Sequence, residues 1–148
     1  MRALIQRVQH GSVISDGVIT GKISRGMVVL LGIARGDAVA DAQYLARRTA
    51  NIRIFNDESG TMNLSMLDVA SEALVVSQFT LYADTLKGNR PSYMAAAPPE
   101  EAEPLYNAFV LHLGELIGAE HVQTGVFRSD MRVEIINDGP VTILIESK

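Results

Sequence analysis

Two short apolar runs constrain the fold of this chain more than any other feature of its sequence. One is GMVVLLGI at residues 26–33, and the other is LVV at residues 74–76, the start of the stretch LVVSQFTLYAD. A strand that is apolar on both faces is typical of a sheet covered on both sides. Both runs are therefore predicted to form strands buried between two layers.

Two helices are predicted from apolar residues that recur at helical spacing. The first begins after Asp37, its expected N-cap. Its stripe consists of Val39, Ala42, Leu45, Ala46 and Thr49. The second helix starts at Pro98-Pro99, where a missing N–H costs nothing, and stops at Gly118. Its buried stripe is expected to be Leu105, Phe109, Leu113 and Leu116.

The rest of the pattern predicts strands separated by turns. The strands are Ala3–Val8, the hairpin Val13–Ile23 turning at Asp16-Gly17, Gly26–Ile33, Ile52–Phe55, Ala73–Tyr82, Val122–Phe127, Met131–Asn137 and Val141–Ile145, with Met62–Leu67 also extended. This order predicts an α/β fold in a single domain, residues 1–148. Three layers (α/β/β) with mixed sheets and two main helices are expected.

Composition narrows the classes of site. The 148 residues include no cysteine, which excludes thiolate nucleophiles and disulfides, and the three histidines are scattered, so no metal site is predicted. The net charge of −4 argues against a general nucleic-acid coat, but it allows a local grip on one RNA end. Because the chain shows neither a signal-peptide core nor a long apolar stretch, a cytoplasmic protein without membrane association is expected.

The polar half of LVVSQFTLYAD is the first candidate site. Read as a continued strand, it places Ser77, Phe79 and Leu81 on one face and Gln78, Thr80 and Tyr82 on the other. Such a strand is suited to line a small-molecule pocket. The alternative is an ordinary solvent-facing strand.

Familiar catalytic motifs do not accompany this stretch. GxxxxGK[ST], GxGxxG and GxSxG are all missing from the sequence. A hydroxyl without a visible base is a poor nucleophile. If the chain is an enzyme, its catalysis is therefore expected to come from positioning and backbone dipoles.

The second informative stretch is NDGPVT at residues 137–142. Its composition predicts a β-turn between the last two strands. A Gly-Pro junction is also a place where a rigid peptide bond can hold two successive carbonyl groups in one direction, a device suited to recognising an amine.

SQFTL at residues 77–81 and NDGPVT at residues 137–142, in this order, resemble the two signature motifs of the D-aminoacyl-tRNA deacylases. MRALIQRV, DESGTMNLS and KGNRPSY are also similar to that family, so the resemblance covers essentially the whole length. It implies a cytosolic homodimer that hydrolyses the ester between a D-amino acid and the 3′ end of tRNA. It also implies action on glycyl-tRNA mischarged on tRNA(Ala), with no metal or organic cofactor.

The resemblance further implies a gate that acts across the dimer. Gly139-Pro140, cis in this family, would enter the partner's pocket. Its carbonyl groups would bind the α-amino group of the substrate, and its bulk would block an L side chain. Arg7 would hold the motif by hydrogen bonds to its backbone; the alternative for Arg7 is a cation on the strand surface.

The remaining assignments concern the pocket and the tRNA. Ser77, Gln78, Phe79 and Thr80 would surround the scissile ester, with main-chain N–H groups facing the oxyanion and water attack assisted by the tRNA 2′-hydroxyl. Phe127 and Met131 would border the terminal adenine, with a core position as the alternative. Lys87 and Arg90 are candidate contacts to acceptor-stem phosphates, with a solvated loop as the alternative.

Three rival hypotheses remain open from the sequence. The first is a covalent esterase with Thr80 as nucleophile. The second is a non-catalytic module that binds the aminoacyl end of RNA. The third is a structural protein in which Gly139 and Pro140 are replaceable.

Overall fold

The two apolar runs form adjacent parallel strands in the main sheet. The computed structural model describes residues 1–147. In it, β3 (Gly26–Gly32) pairs with the strand Glu72–Ser77, and Val29 lies beside Val75. The prediction that both runs form strands buried between two layers is confirmed. Met27, Val28, Val29 and Leu31 are fully buried, as are Leu74 and Val75 of the second strand.

Eight strands and three α-helices make up the described chain. The strands are β1 (Arg2–Ser15), β2 (Val18–Ile23), β3, β4 (Phe55–Asn56), β5 (Met62–Leu64), β6 (Glu72–Ser77), β7 (Val122–Thr124) and β8 (Met131–Glu146). The helices are α1 (Val39–Asn51), α2 (Met66–Val69) and α3 (Pro99–Ile117), with 3-10 helices at Phe79–Tyr82 and Ala119–His121. No helix within residues 1–147 has the length and apolar character needed to cross a membrane.

The main sheet is mixed and is organised around β1. Its order is β2-β1-β3-β6-β7, and β8 also pairs with β1. The β3–β6 and β6–β7 pairs are parallel, whereas β2, β3 and β8 all run antiparallel to β1. The sheet curls until Gly21 of β2 lies against β7, so closely that a Cβ there would come 2.7 Å from the Thr124 carbonyl oxygen.

Two cores lie on opposite faces of the central strands. Met27, Val29 and Leu31 face the helices and pack in a cluster with α1 and α3, whereas Val28 faces β2 and β8. Alternation along a strand therefore feeds both cores from the same apolar run. This arrangement confirms the predicted single-domain α/β fold with two main helices; α2 is a third, short helix.

The start of α1 differs from the prediction. Ala38 is the N-cap, and its N–H donates to the Asp41 carboxylate at 2.8 Å. The predicted cap, Asp37, is used otherwise: it accepts the Ala34 N–H at 2.7 Å and lies 2.9 Å from the amino group of Met1. Because the amino terminus needs a buried counter-charge, Asp37 is drawn away from the helix.

The buried stripe of α3 also differs in part. Phe109 and Leu113 are buried as predicted, but Leu116 is 37% exposed and Tyr106 is buried instead. The helix begins at Pro99 and ends before Gly118, whose φ of +97° suits glycine at that position.

Several predicted strand bounds differ from the structure. Ala3–Val8 and the first arm of the hairpin Val13–Ile23 form the single strand β1, the strand predicted at Ile52–Phe55 begins only at Phe55, and the one predicted at Val122–Phe127 ends at Thr124. The predicted strand Ala73–Tyr82 ends at Ser77, and residues 79–82 form a 3-10 helix. Met62–Leu67 is divided between β5 and α2. Asp138-Gly139-Pro140 is a bulge within the single strand β8 and not a turn between two strands. Because both halves of β8 pair with the continuous strand β1, the chain keeps its direction through the bulge.

Candidate active site

The first signature stretch leaves the sheet at the end of β6. Ser77 is the last strand residue, and the Gln78 N–H donates to the Leu31 carbonyl at 2.8 Å. The predicted period-two alternation stops there, because the next four residues form a turn of 3-10 helix. Phe79 consequently projects outward and is 56% exposed.

The 3-10 turn fixes the Thr80 hydroxyl relative to Gln78. The Gln78 side-chain amide donates to Thr80 Oγ1 at 2.5 Å. An amide cannot accept the proton that a nucleophilic hydroxyl must lose, so this contact orients Thr80 without activating it. The N–H groups of Phe79 and Thr80 open the helix, a position at which backbone donors have no acceptor inside the helix.

A cavity of about 610 Å³ lies beside this turn. It brings together Ser77, Gln78 and Phe79 with Phe127 and Met131, five residues that the sequence analysis assigned to one pocket. Thr80 is not among the lining residues within the described chain. A volume of this size is ordinary for a small-molecule site.

Phe127 is supported from the core of the protein. Its ring centroid lies 5.6 Å from that of Tyr106 on α3. The Tyr106 hydroxyl donates to the Val75 carbonyl at 2.8 Å, and burial raises the pKa of Tyr106 above its usual value. One buried tyrosine thus ties the aromatic wall of the cavity to the strand that carries Ser77.

The cavity includes residues that the sequence analysis missed. Arg35 and Arg128 place two cationic side chains in its lining, and Tyr93 packs edge-on against Phe79 with centroids 5.1 Å apart. All three lie outside regular strands or helices, where no periodic signal marks a residue as part of a wall. For Tyr93 the only sequence signal was its place in the family-like stretch KGNRPSY.

Lys87 and Arg90 lie away from the cavity wall. They are exposed on a loop closed by two hydrogen bonds between Asp84 and Ser92, at 2.8 and 2.9 Å. Both residues are therefore on the surface. They are close to Tyr93 in sequence, but unlike Tyr93 they are not part of the described cavity lining.

The second signature stretch is held rigidly and lies exposed. The Gly139-Pro140 peptide bond is cis, the form that the resemblance implied, and both residues are exposed. Asn137 braces the bulge, since its side-chain oxygen accepts the Val141 N–H at 2.7 Å. Gly139 and Pro140 are absent from the cavity wall that residues 1–147 form.

Arg7 connects this bulge to the body of the protein. It is 7% exposed and donates through Nε to the Asp138 carbonyl at 2.9 Å. Its Nη1 donates to the Ile54 carbonyl and to the Asn56 side chain. The Asp138 carboxylate lies 3.4 Å from Nε and supplies a counter-charge. Arg7 therefore bonds to the backbone immediately before Gly139, and is not an ordinary surface cation.

No potential metal centre is evident in the part of the chain that the structure describes. Within residues 1–147, no three histidine, aspartate or glutamate side chains converge to hold an ion. The polar groups in the cavity lining are hydroxyls, the Gln78 amide, backbone groups, two arginines and the carboxylate of Asp130.

Comparisons with known proteins show similarity over the whole chain. The D-aminoacyl-tRNA deacylase of Parabacteroides distasonis is 51% identical over 148 residues, covering 100% of this chain and 98% of the relative. That of Anaeromyxobacter dehalogenans is 53% identical with the same coverage, and that of Roseiflexus sp. is 54% identical over 99% of this chain and 94% of the relative.

Solved structures share the fold. A c-Myc DNA Unwinding Element Binding Protein superposes with a TM-score of 0.95 at 43% identity, covering 100% of this chain and 99% of that one. A probable eukaryotic D-amino acid tRNA deacylase has a TM-score of 0.82 at 16% identity over 98% of both chains, and shows likeness of fold alone. A profile of the D-Tyr-tRNA(Tyr) deacylase family matches residues 4–146. This match and the similarity to the relatives above show that the chain belongs to the D-Tyr-tRNA(Tyr) deacylase family.

Proposed function

We propose that this protein hydrolyses the ester that joins a D-amino acid to the 3′ end of tRNA, and that it does so in the cytoplasm as a homodimer. Family membership and the names of relatives 51–54% identical to the chain support the reaction. One observation supports the mechanism: the Gly139-Pro140 bulge and the pocket of the same chain are separate. The pocket is open, and the rigid bulge lies exposed outside it.

That separation supports a site shared between two copies. A braced, exposed bulge is suited to fit a second molecule, because its conformation needs no ordering on contact. In a twofold dimer each copy gives its bulge to the other's pocket, so two equivalent sites arise together. The gate and the pocket of one site then belong to different protomers.

Chiral selection in this proposal depends on exclusion. The Gly139-Pro140 carbonyl groups bind the α-amino group, and an L side chain would collide with the bulge. Discrimination by a clash requires a rigid obstacle, which the contacts of Arg7 and Asn137 provide. Glycine has no side chain to clash, so glycyl-tRNA mischarged on tRNA(Ala) is accepted as well.

The ester lies against Ser77, Gln78 and Phe79, and the reaction proceeds by attack of water. The N–H groups that open the 3-10 helix stabilise the oxyanion, a contribution of about 3 kcal/mol per donor in comparable sites. The tRNA 2′-hydroxyl assists the water. The contact of Thr80 with Gln78 supports this route over a covalent one, because it offers Thr80 no proton acceptor.

The tRNA end occupies the remaining cavity. The terminal adenine packs against Phe127, which Tyr106 holds from behind, and against Met131. Arg35 and Arg128 face the same cavity and are suited to nearby phosphates. Lys87 and Arg90 on the exposed loop extend the positive surface toward the acceptor stem.

The test is release of amino acid from D-tyrosyl-tRNA and L-tyrosyl-tRNA by the purified protein in the presence of EDTA. Release from the D form alone supports the enzyme, its chirality and its independence of metal. Release from both forms would retain the esterase and contradict the gate. Loss of release on adding EDTA would contradict the absence of a metal.

A rival remains if folded protein releases nothing from either substrate. Direct binding of D-tyrosyl-tRNA is then measured by filter retention. Binding without release would make the protein a non-catalytic module for the RNA end. A parallel assay with glycyl-tRNA(Ala) tests the predicted acceptance of an achiral amino acid.

A further inference from the structure

The first residue of β1 contacts the back of the 3-10 helix. Arg2 donates through Nη1 to the Leu81 carbonyl at 2.9 Å, and its guanidinium lies 4.6 Å from the centre of the Tyr82 ring. Its Nε is 2.6 Å from a Glu146 carboxylate oxygen. We call Arg2, Glu146 and Tyr82 the Arg2 clamp.

The Arg2 clamp is mounted on the most extensively paired strands of the sheet. Arg2 and Glu146 are register partners on β1 and β8. The Leu81 carbonyl belongs to the end of the 3-10 helix, where carbonyl groups lack partners inside the helix and favour a cation. Arg2 therefore joins a rigid sheet to the turn that carries Gln78 and Thr80.

A second and independent contact limits the same turn from β3. A Cβ built on Gly32 would come 3.1 Å from the Gln78 carbonyl oxygen, 3.1 Å from Leu81 Cβ and 3.2 Å from the Tyr82 ring. The turn thus rests directly on the β3 backbone. With Arg2 bonded to its end, it is restrained from two directions.

We propose that Arg2 is a positioning residue for the reaction: by fixing the Leu81 carbonyl, it sets the place of the Phe79 and Thr80 N–H groups and of the Gln78 side chain. This inference rests on the proposed function and deepens it. A reaction that depends on geometry is sensitive here, because a displacement of about 1 Å can cost about 100-fold in rate.

Stability is a separate matter from this role. The Arg2 side chain is 36% exposed and that of Glu146 is 43% exposed, and exposed ion pairs contribute little to folding. Lysine cannot replace the planar guanidinium, which stacks on Tyr82 while donating in two directions. Arg2→Lys is therefore expected to recover only part of what Arg2→Ala loses.

The experiment compares Arg2→Ala and Arg2→Lys with Arg53→Ala in the full-length protein. Arg53 is a matched control, since its Nε also donates to a backbone carbonyl, that of Asn63 at 2.6 Å, on the β4–β5 hairpin. The measurements are kcat and KM for D-tyrosyl-tRNA, the melting temperature, and hydrogen exchange at the Leu81 and Ala83 amides. Those amides donate within the turn, to Gln78 and Thr80.

For Arg2→Ala we expect kcat to fall by about 10- to 100-fold, with KM and melting temperature changed far less, and exchange at both amides to accelerate. Arg53→Ala should match the wild type in all measurements. Unchanged exchange in Arg2→Ala would overturn the clamp, even if the wild-type protein releases no D-amino acid and the proposed function fails. Faster exchange with an unchanged kcat would overturn its role in the reaction.

Discussion

Thr80 is the residue at which two chemical mechanisms separate. Its hydroxyl accepts a hydrogen bond from Gln78, a contact that orients the hydroxyl but supplies no base. Thr80→Ala should therefore retain activity within about tenfold of the wild type, whereas loss of a true nucleophile costs about 1000-fold or more. Single-turnover release from D-tyrosyl-tRNA measures this difference. A trapped acyl-enzyme on Thr80 would contradict the water mechanism.

The backbone conformation of Gly139 is expected to determine the D-over-L selectivity. Its φ is +144°, and a Cβ there would come 2.7 Å from Val141 Cγ2 and 3.0 Å from the Val141 nitrogen. Gly139→Ala should therefore displace the bulge at a strain of about 1–3 kcal/mol, and weaken either activity or the D-over-L preference. Release from both tyrosyl-tRNA forms measures that preference.

Gly60→Ala is the matched control for this substitution. Gly60 also has a positive φ, of +82°, but a Cβ there meets nothing within 4 Å, and it lies in the exposed turn between β4 and β5. It should share the backbone strain and leave the D-over-L preference unchanged. If Gly139→Ala left both the activity and the D-over-L preference at their wild-type values, the gate would be contradicted.

Among the elements, α3 supports the pocket through a single buried hydroxyl. Tyr106→Phe removes the bond to the Val75 carbonyl but keeps the ring against Phe127. Because Val75 retains the Gly125 N–H as a partner at 3.1 Å, the free energy of unfolding should fall by only about 1 kcal/mol, with release from D-tyrosyl-tRNA retained. Urea denaturation measures the change. A loss of several kcal/mol would mean that the ring itself is displaced.

Two partly or largely buried tyrosines, Tyr82 and Tyr106, predict how the free energy of unfolding depends on alkaline pH. Burial, with a smaller contribution from Asp37, raises the pKa of Tyr82 from 10.0 to about 12, and burial raises that of Tyr106. The unfolded chain loses these protons first, so their contribution is intact below pH 10 and is lost as pH rises toward 12. The urea midpoint should fall less steeply with pH, between pH 9 and 11.5, in the double variant Tyr82→Phe with Tyr106→Phe than in the wild type. Tyr44→Phe, at an exposed tyrosine, is the control and should behave like the wild type. Equal slopes would contradict the prediction.

At the scale of the whole molecule, the proposed shared site can be tested by mixing variants. Gln78→Ala damages the pocket and keeps the gate, whereas Gly139→Ala does the reverse. In a mixed dimer, one of two sites combines an intact pocket with an intact gate from the other protomer. Co-refolding the variants in equal amounts should therefore restore about a quarter of wild-type D-selective release.

The controls for mixing are each variant refolded alone and the two variants combined without refolding. Light scattering establishes whether the refolded protein is dimeric. If the gate served the pocket of its own chain, no mixed dimer would hold an intact site and selectivity would stay low. A monomeric mass with full D-selective activity would contradict the shared site altogether.

The sequence by itself determined the elements whose signals are local. The apolar runs at β3 and β6, the Asp16-Gly17 hairpin, and α3 between Pro99 and Gly118 all follow from periodicity and turn chemistry. The first signature stretch and the family resemblance likewise indicated five residues that gather at the cavity: Ser77, Gln78, Phe79, Phe127 and Met131. Short-range preferences suffice for such features because each is stabilised by neighbours in the chain.

Only the tertiary structure decided where long-range contacts override these local preferences. Residues 78–82 alternate as a strand would, yet Arg2 and Gly32 hold them as a 3-10 turn. NDGP has the composition of a turn, yet pairing with β1 on both sides keeps β8 a single strand, and Arg7 ties the bulge to the chain 131 residues away. Long-range contacts prevail there because the strong pairing of a 14-residue strand outweighs local propensities of about 1 kcal/mol or less.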